Sequence, residues 1–375
     1  MDPRVRARTS RLLVQLAPKQ AAATIAYQEM SKAQKKASFE AYYRQFADEL
    51  VAELSEFEMP DEAVRYIKRM IDYTLPGGKM NRGLSVITTY SHLVGNRPLT
   101  EDELCKASVL GWCVEWLQAY FLVADDVMDR SVTRRDQPCW YLNEDVGLIA
   151  VNDSFILESG VYRLLKKHFE GDAKYATYLE LFHEVSYQTQ LGQLLDLRTS
   201  PEGSGPTLDN FSLHKHHLVV KYKTAFYSFY LPVALGMTMA GITDSKLYDT
   251  ARDILVDMGV YFQVQDDFLD WWQDPEVLGK VGTDIQDNKC SWPVVTVLDK
   301  CSAADRAVLE KHYARDDPAS VEIVKNLYRK YDVEGVYNAY QDKMIAQLTA
   351  RIAQVTDLPP AIFTDFLDKI AYRQK

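Results

Sequence analysis

Two clusters of aspartates are the residues of this chain best suited to chemistry. They are Asp125, Asp126 and Asp129 and, with the same spacing, Asp266, Asp267 and Asp270. On a helix, residues four apart project from the same face, so the outer two carboxylates of each cluster point the same way. Like charges at that spacing repel each other by roughly a few tenths of a kcal/mol, which predicts a compensating cation.

Both clusters lie in segments rich in phenylalanine, leucine, valine and tryptophan rather than in polar sequence. A single acidic cluster on a helix is most often a solvated face, but charges inside apolar segments are usually paired or bound to metal. Oxygen ligands with room for water favour hard divalent cations, Mg²⁺ above all, and Mg²⁺ commonly binds together with a substrate phosphate. The clusters therefore predict two walls of one metal-assisted phosphate site.

Basic residues stand where the predicted helices break and supply the other half of such a site. They are Lys79, Arg82, Arg134, Arg135, Lys223, Lys280 and Lys289. The first two follow Gly77-Gly78, whose backbone amides can also face a phosphate. Each basic residue alone is typical of solvated surface, so the prediction depends on the set. The net charge of −10 argues against general nucleic-acid affinity and requires local cations for any anionic substrate.

The elements that must position these residues are helices. Apolar residues recur at helical spacing from Phe39 onward, beginning with a helix from Phe39 to Phe57, and no stretch alternates as a strand. Thr100 and Glu103 form a capping box that begins a helix reaching Asp129.

The second cluster lies on a helix predicted over Ser245 to Trp272. The uncharged run from Thr224 to Ile242 predicts a buried central helix, not a membrane span, with Lys223 at its polar start. No internal boundary is apparent, so the fold class is all-α, one large helical domain.

The remaining candidate ligands predict no further metal site. Five scattered cysteines, without a CxxC pair, are typical of free thiols in a reducing compartment; they are Cys105, Cys113, Cys139, Cys290 and Cys301. His214, His216 and His217 cluster beside Lys215 on a polar stretch, which favours a surface position over a zinc site.

Taken together, the motifs resemble those of the trans-prenyltransferases, and closely those of the eukaryotic farnesyl diphosphate synthases. DDVMD and DDFLD match that family's two aspartate-rich motifs. Its other blocks follow in order as GGKMNRG, LQAYFLVADDVMD, SVTRR, GQLLD, KYKTAFYSFYLP, FQVQDDFLD and GKVGTDIQDNKCSW. The resemblance covers Phe39 to Lys375 and departs at Met80 and Arg130, where other residues are usual.

The resemblance implies a single large helical bundle of the isoprenoid (terpenoid) synthase type with a central active-site cavity. The implied reaction is the head-to-tail (1′-4) condensation of isopentenyl diphosphate with dimethylallyl and then geranyl diphosphate, giving (E,E)-farnesyl diphosphate and pyrophosphate. Ionisation of the allylic substrate would be assisted by Mg²⁺. A homodimer is also implied, with no nucleic acid and no transmembrane segment.

The resemblance also implies a role for each matching residue. Three Mg²⁺ ions would bind at Asp125 and Asp129 (two ions) and at Asp266 (the third), supported through water by Asp126, Asp267 and Asp270. The allylic diphosphate would bind at Arg134, Lys223 and Lys280, with Thr224, Gln263 and Lys289 nearby. Isopentenyl diphosphate would bind at Gly78, Lys79, Arg82, Gln118 and Arg135, and Arg373 would help close that site. The Lys223 carbonyl, Thr224 and Gln263 would stabilise the allylic cation.

Product length is expected to depend on Tyr120 and Phe121. These rings precede Asp125 by five and four residues, hence by about 6–7.5 Å along the helix. Elsewhere they would be ordinary core aromatics, but in this family bulky rings here form the floor of the chain pocket. They favour stopping at the fifteen-carbon product.

The N-terminus differs in character from the rest. Residues 1–38 form a basic leader, with Arg4, Arg6, Arg8 and Arg11 among the first residues, ahead of a synthase domain over 39–375. An arginine-rich, acid-poor segment is typical of a mitochondrial transit peptide, and a disordered basic tail is the alternative. The expected location is therefore cytoplasmic or mitochondrial.

Two other functions remain open. A geranyl diphosphate synthase or a terpene cyclase on the same scaffold would keep the aspartates, although a cyclase would not need Lys79, Arg82, Gln118 and Arg135. A non-catalytic divalent-cation-binding helical protein would not need the basic residues at all.

Overall fold

The computed structural model describes residues 26–201, 205–278 and 282–373. In the N-terminal half the helices are α1 (Lys32–Glu53), α2 (Asp61–Thr74), α3 (Asn81–Leu93), α4 (Glu101–Met128), α5 (Ile149–Phe169) and α6 (Tyr175–Thr199). In the C-terminal half they are α7 (Leu213–Val220), α8 (Leu231–Met239), α9 (Ser245–Trp272), α10 (Pro275–Leu278), α11 (Trp292–Leu298), α12 (Ala303–His312), α13 (Pro318–Lys330), α14 (Val333–Ile352) and α15 (Ala361–Ile370). The all-α prediction is confirmed.

Helix α4 lies at the centre of the bundle, between α3 and α5. It begins with the predicted capping box, in which the Glu103 amide donates to Thr100 Oγ1 at 3.2 Å and the Thr100 amide donates to Glu103 Oε2 at 2.9 Å. Its middle is buried on all sides, including the indoles of Trp112 and Trp116. Among the described residues α4 is the one helix long and apolar enough to cross a membrane. However, 78% of its most apolar 18-residue stretch is buried inside the protein.

A wider helical turn connects α7 to α8. Residues Lys221–Tyr230 form a π-helix, which continues α7 without a break and passes directly into α8. Lys223 is therefore inside a long helix and not at its start, which corrects the prediction from the uncharged run. Such π segments are rare and occur frequently at functional sites.

Both neighbours of this π segment approach it through glycine. A Cβ on Gly192 of α6 would lie 2.2 Å from the Lys223 amide nitrogen, and a Cβ on Gly259 of α9 would lie 2.5 Å from Ala225 Cβ. No side chain fits at such distances, so the two glycines allow α6 and α9 to pack directly on the π-helical backbone. The segment is thereby placed between α6 and α9, the helix that carries the second aspartate cluster.

The predicted helices that carry the aspartates agree with the structure. Helix α4 ends at Met128, and the Asp129 amide still donates to the Asp125 carbonyl at 2.8 Å. Helix α9 spans the predicted residues, with Asp244 as its N-cap. The five cysteines, all within the described residues, are free thiols as predicted.

Two predictions of local structure were wrong. Helix α1 begins at Lys32, seven residues before Phe39, with Ser31 and Gln34 as its capping box, so residue 38 lies inside a helix. Its first turns are polar on all sides and therefore carry no apolar periodicity. Two strands of two residues each, Thr133–Arg134 and Gln137–Pro138, form an antiparallel pair after α4.

Candidate active site

A cavity of about 330 Å³ lies between α4, α6 and the π segment. Asp125, Lys223 and Thr224 line it together with Tyr120 and Phe121. Because Asp125 comes one helical turn after Phe121, the cavity has a charged end and an aromatic end. The predicted central cavity is present.

Two lysines hold the first aspartate cluster. Lys223 Nζ lies 3.2 Å from Asp125 Oδ1 and 2.7 Å from Asp196 Oδ2, and Lys289 Nζ lies 2.6 Å from Asp129 Oδ2. Asp196 is also 3.8 Å from Lys289, so it bridges the two lysines. The predicted Lys223 and Lys289 thus contact the predicted aspartates, and both also lie beside Asp196, a carboxylate for which no role was predicted.

The charges of this group depend on one another. Burial disfavours the charged form of Lys223, but Asp196 and Asp125 outweigh burial and raise its pKa. Burial would raise the pKa of Asp196, yet Lys223 and Lys289 hold it below its ordinary value. The pKa of Asp129 is raised by burial and by Asp125, although Lys289 opposes both.

Arg134 pairs with the middle aspartate of the cluster. Its Nη2 lies 2.5 Å from Asp126 Oδ1 and 3.9 Å from Asp125 Oδ2. Asp126 is buried, and this contact directs its carboxylate toward Arg134. Burial lowers the pKa of Arg134, but Asp126 outweighs burial and raises it.

The second cluster is connected to the π segment through Gln263. The Gln263 Nε2 donates to Asp267 Oδ1 at 3.0 Å, and Thr224 Oγ1 donates to Gln263 Oε1 at 3.4 Å. Because Thr224 follows Lys223 directly, the π segment contacts the first aspartate cluster through Lys223 and is linked to the second through Gln263. The two clusters are thus linked through one shared segment, and the single cleft between them stays a prediction.

The outer aspartates of the second cluster contact other parts of the chain. Arg373 Nη2 donates to Asp266 Oδ1 at 2.8 Å, and its guanidinium lies 4.1 Å from the centre of the Phe262 ring. The Asp284 amide donates to Asp270 Oδ2 at 3.1 Å. The structure therefore places Arg373 on the second cluster, whereas the resemblance assigned it to the isopentenyl site.

The residues expected to bind isopentenyl diphosphate form a second cationic group. Arg82 donates to Gln118 Oε1 at 3.2 Å, to Ser228 Oγ at 2.9 Å and to the Tyr227 hydroxyl at 3.2 Å. These contacts fix the guanidinium at the junction of α3, α4 and the π segment. Gly83, the residue after Arg82, donates its amide hydrogen bond to the buried Glu115 Oε1 at 2.8 Å.

Arg135 holds the glycine loop in place. Its Nη1 donates to the carbonyls of Thr74, Leu75 and Pro76 at 3.0, 2.7 and 2.8 Å, which caps the C-terminal end of α2. A Cβ on Gly78 would lie 3.3 Å from Arg135 Nη2, so the loop packs on the guanidinium. Lys79 follows in this loop and is exposed. Burial lowers the pKa of Arg135.

The aromatic end of the cavity has the predicted composition. The rings of Tyr120 and Phe121 lie 4.5 Å apart between centres, and Phe121 lies 5.9 Å from Tyr227. The Gln190 Nε2 donates to the Tyr120 hydroxyl at 3.1 Å. The two rings thus form the aromatic end of the cavity.

The oxygen donors suit Mg²⁺ only together with a substrate. Within the described ranges no group of three or more His, Cys, Asp or Glu side chains is arranged to hold a metal by itself. Mg²⁺, however, commonly takes one or two carboxylates and completes its shell with water and phosphate oxygens. Asp125 and Asp129 are such a pair on adjacent turns, so the residues fit the ion.

Several site residues were not predicted, and one prediction lies outside the described residues. Asp196, Gln193 and His216 contact the predicted set, with Gln193 Nε2 donating to Asp125 Oδ1 at 2.8 Å. The Gly192–Asp196 spacing of one helical turn was the available signal for Asp196. His216 is buried, so its predicted surface position is wrong, although His214 and His217 are exposed. Lys280 lies outside the described residues.

Comparison with known proteins places this site in one family. Residues 64–331 match the family model described as polyprenyl synthetase. The chain is 49% identical to the farnesyl pyrophosphate synthase of Schizosaccharomyces pombe, over 92% of this chain and 100% of that protein. It is 48% identical to the mitochondrial farnesyl pyrophosphate synthase 1 of Arabidopsis thaliana, over 85% of this chain and 83% of that protein.

A solved structure has the same fold. The farnesyl diphosphate synthase of T. brucei, complexed with the bisphosphonate BPH-722, superposes with a TM-score of 0.84 at 37% identity, over 91% of this chain and 100% of that one. The family model covers more than half of the chain, and these relatives match it over most of their own length. The chain therefore belongs to the polyprenyl synthetase family.

Proposed function

We propose that this protein is a farnesyl diphosphate synthase. It joins isopentenyl diphosphate to dimethylallyl diphosphate and then to geranyl diphosphate, releasing pyrophosphate each time. The observation that carries this conclusion is the cavity, in which Asp125 and Lys223 lie at one end and Tyr120 and Phe121 at the other. This geometry suits an allylic diphosphate whose phosphates bind at the charged end and whose chain extends to the aromatic floor.

The charged end promotes departure of the diphosphate. Polyprenyl synthetases generally depend on magnesium. Asp125, Asp129 and Asp266 would hold it, and it would supply positive charge against the leaving phosphate. Arg134, Lys223 and Lys289 add fixed positive charge in the same place. Since they are positioned before reaction, they stabilise the developing anion without reorganisation.

The π segment and α9 stabilise the cation that remains on the allylic carbon. The Thr224 hydroxyl and the Gln263 side-chain carbonyl face the same region, and the Lys223 carbonyl belongs to the adjoining π-helical backbone. These oxygens carry partial negative charge but are poor nucleophiles. They therefore favour the cation without trapping it.

The second cationic group holds isopentenyl diphosphate. Arg82 and Arg135 approach from α3 and from the loop after α4, and both lie within electrostatic range of buried Glu115. Because Gln118, Ser228 and Tyr227 fix Arg82, the nucleophilic double bond is held in a defined place next to the cavity. The double bond would attack the allylic carbon, and the proton then lost would pass to the released pyrophosphate.

Product analysis tests this function directly. Dimethylallyl and isopentenyl diphosphates with Mg²⁺ should give farnesyl diphosphate, and Asp125→Ala should lower the rate by at least about 10²-fold because the metal pair is broken. Asp102→Ala is the matched control, since Asp102 is exposed in the first turn of the same helix. Hydrocarbon or alcohol formed from geranyl diphosphate alone would instead indicate a cyclase, and geranyl diphosphate as the end product would indicate the shorter synthase.

We propose three magnesium ions per active site. Two carboxylates from α4 and one from α9 provide separate attachment points for them, and each ion needs phosphate oxygens to complete its shell. Titration calorimetry with Mg²⁺ and a non-hydrolysable diphosphate analogue should give a stoichiometry of three. The same titration on Asp266→Ala should give two.

The exposed face formed by α5 and α6 suits a second copy of this chain. Its large exposed apolar residues are Leu148, Ile149, Phe155, Tyr187, Leu191 and Leu194. Large exposed apolar residues on two neighbouring helices are typical of a subunit interface. Light scattering should give twice the chain mass for the wild type and the monomer mass for Leu191→Glu. Leu213→Glu, at an equally exposed leucine of α7, should remain dimeric.

The basic leader is proposed to direct a mitochondrial pool. Its arginine-rich composition supports this proposal. Residues 1–38 fused to a fluorescent protein should localise to mitochondria, and changing Arg4, Arg6, Arg8 and Arg11 to serine should abolish that localisation. Cytoplasmic fluorescence from the unaltered fusion would favour the disordered tail.

A further inference from the structure

Buried beside the second aspartate cluster is a histidine to which the proposed reaction gives no role. His216 of α7 is 4% exposed, whereas its neighbours His214 and His217 are exposed. Its Nε2 lies 2.8 Å from Asp267 Oδ2. A neutral imidazole in this place donates a hydrogen bond to the carboxylate and needs no proton transfer to do so.

Asp267 uses both of its oxygens within the protein. Its Oδ2 accepts from His216 and from the Trp292 amide, also at 2.8 Å, and its Oδ1 accepts from Gln263 Nε2 at 3.0 Å. Asp267 is 8% exposed. The carboxylate is therefore fixed by two donors on one oxygen and presents the other oxygen to the Gln263 amide.

This arrangement determines which way the Gln263 amide points. Its NH₂ group is bound to Asp267, so its carbonyl oxygen is directed to the Thr224 hydroxyl, at 3.4 Å. The reverse orientation would place the amide oxygen against a carboxylate and turn the NH₂ group, which is partially positive, toward Thr224. Only the observed orientation presents a negative dipole end to a cation near Thr224.

We propose that His216 is a positioning residue for the allylic cation. It fixes Asp267, which fixes the Gln263 amide, and the Gln263 carbonyl oxygen then faces the carbon that becomes positive. This inference rests on the proposed function, because it requires an allylic cation at the charged end of the cavity. The role of His216 is to hold a dipole in one orientation.

The test compares variants that keep or remove the donor at position 216. His216→Phe keeps an aromatic ring without a donor, and His216→Gln keeps an N–H donor. With geranyl and isopentenyl diphosphates, His216→Phe should lower kcat about tenfold at unchanged KM for isopentenyl diphosphate, and His216→Gln should recover most of that loss. His217→Phe, an exposed neighbour, should match the wild type.

A fluorinated substrate separates this role from a structural one. Fluorine at carbon 2 of geranyl diphosphate withdraws electrons and destabilises the cation, so the rate ratio between the normal and the fluorinated substrate reports on cation stabilisation. That ratio should rise at least threefold in His216→Phe and also in Asp267→Asn, which keeps the shape of the side chain but permits the amide to turn. A fall in folded protein alone would lower both rates and leave the ratio unchanged.

The outcomes distinguish the inference from the function it rests on. Suppose that the wild type makes farnesyl diphosphate, but His216→Phe and Asp267→Asn both show the wild-type rate ratio between the normal and the fluorinated substrate. The positioning role is then refuted and the synthase function stands. If His216→Phe does not fold, the ratio for Asp267→Asn decides. If the wild type forms no farnesyl diphosphate, the proposed function itself fails.

Discussion

Removing the floor of the cavity should lengthen the product. The perturbation is Phe121→Ala, alone and together with Tyr120→Ala. Phe121 is half-buried and lines the cavity, so its loss costs about 1–2 kcal/mol of stability. Tyr120 is buried and bonded to Gln190, so its loss costs roughly 3–5 kcal/mol. The single variant is therefore the better first test.

The expected change in product ratio follows from the burial of one further isoprenoid unit. Five carbons entering an apolar space gain up to about 4 kcal/mol, at about 0.8 kcal/mol per buried carbon. Incomplete burial reduces this gain, but about 1.4 kcal/mol already changes a ratio tenfold. The twenty-carbon product should therefore rise at least tenfold relative to the fifteen-carbon product in Phe121→Ala, and further in the double variant.

The assay is chromatography of the dephosphorylated products from geranyl and isopentenyl diphosphates, with mass detection. Phe226→Ala is the matched control, since this buried ring stacks on Tyr222 and does not line the cavity. It should lower the melting temperature without changing product length. Exclusive formation of farnesyl diphosphate by the double variant, folded and active, would refute the assignment of the floor.

Three further predictions concern the backbone at Gly192, the hydrogen-bonded carboxylate of Asp305 and the metal. Gly192→Ala would place a Cβ 2.2 Å from the Lys223 amide nitrogen, so it should lower the free energy of unfolding by about 1–3 kcal/mol and reduce kcat. Thr349→Ala, at an exposed position of α14, should change neither quantity. Lys330, Tyr331 and Ser302 lower the pKa of Asp305 to about 2, so its stabilisation is complete above the ordinary carboxyl pKa of about 3.9 and is lost as pH falls toward 2. Asp305→Asn should accordingly flatten the melting temperature against pH in that interval, and an unchanged slope would contradict the pairing. Removal of Mg²⁺ with a chelator should abolish turnover yet leave the circular dichroism spectrum intact, because Lys223 and Lys289 already compensate the aspartates; loss of helical signal would contradict this.

The sequence was sufficient to predict those helices whose first residue is set by a single local signal. The capping box at Thr100 and the N-cap at Asp244 begin helices whose apolar faces then continue to the aspartates, so both were predictable. The π segment was not, because apolar spacing over ten residues does not distinguish its wider turn from an α-helix. Asp196 and His216 were missed for a different reason. Their partners, Lys223 and Asp267, lie 27 and 51 residues away in the sequence and are brought close by the packing of α6, α7, the π segment and α9.

The contact of two glycines with the π segment has a consequence for genetics. Gly192 packs on the main chain of Tyr222 and Lys223, and Gly259 packs on the Cβ and Cα of Ala225, so the segment is held from both sides. An alanine scan of the segment itself would remove the amine of Lys223 but leave its carbonyl in place. Variation in that oxygen's position can therefore arise through the neighbouring helices, and the two glycines are positions at which selection or engineering would act on it.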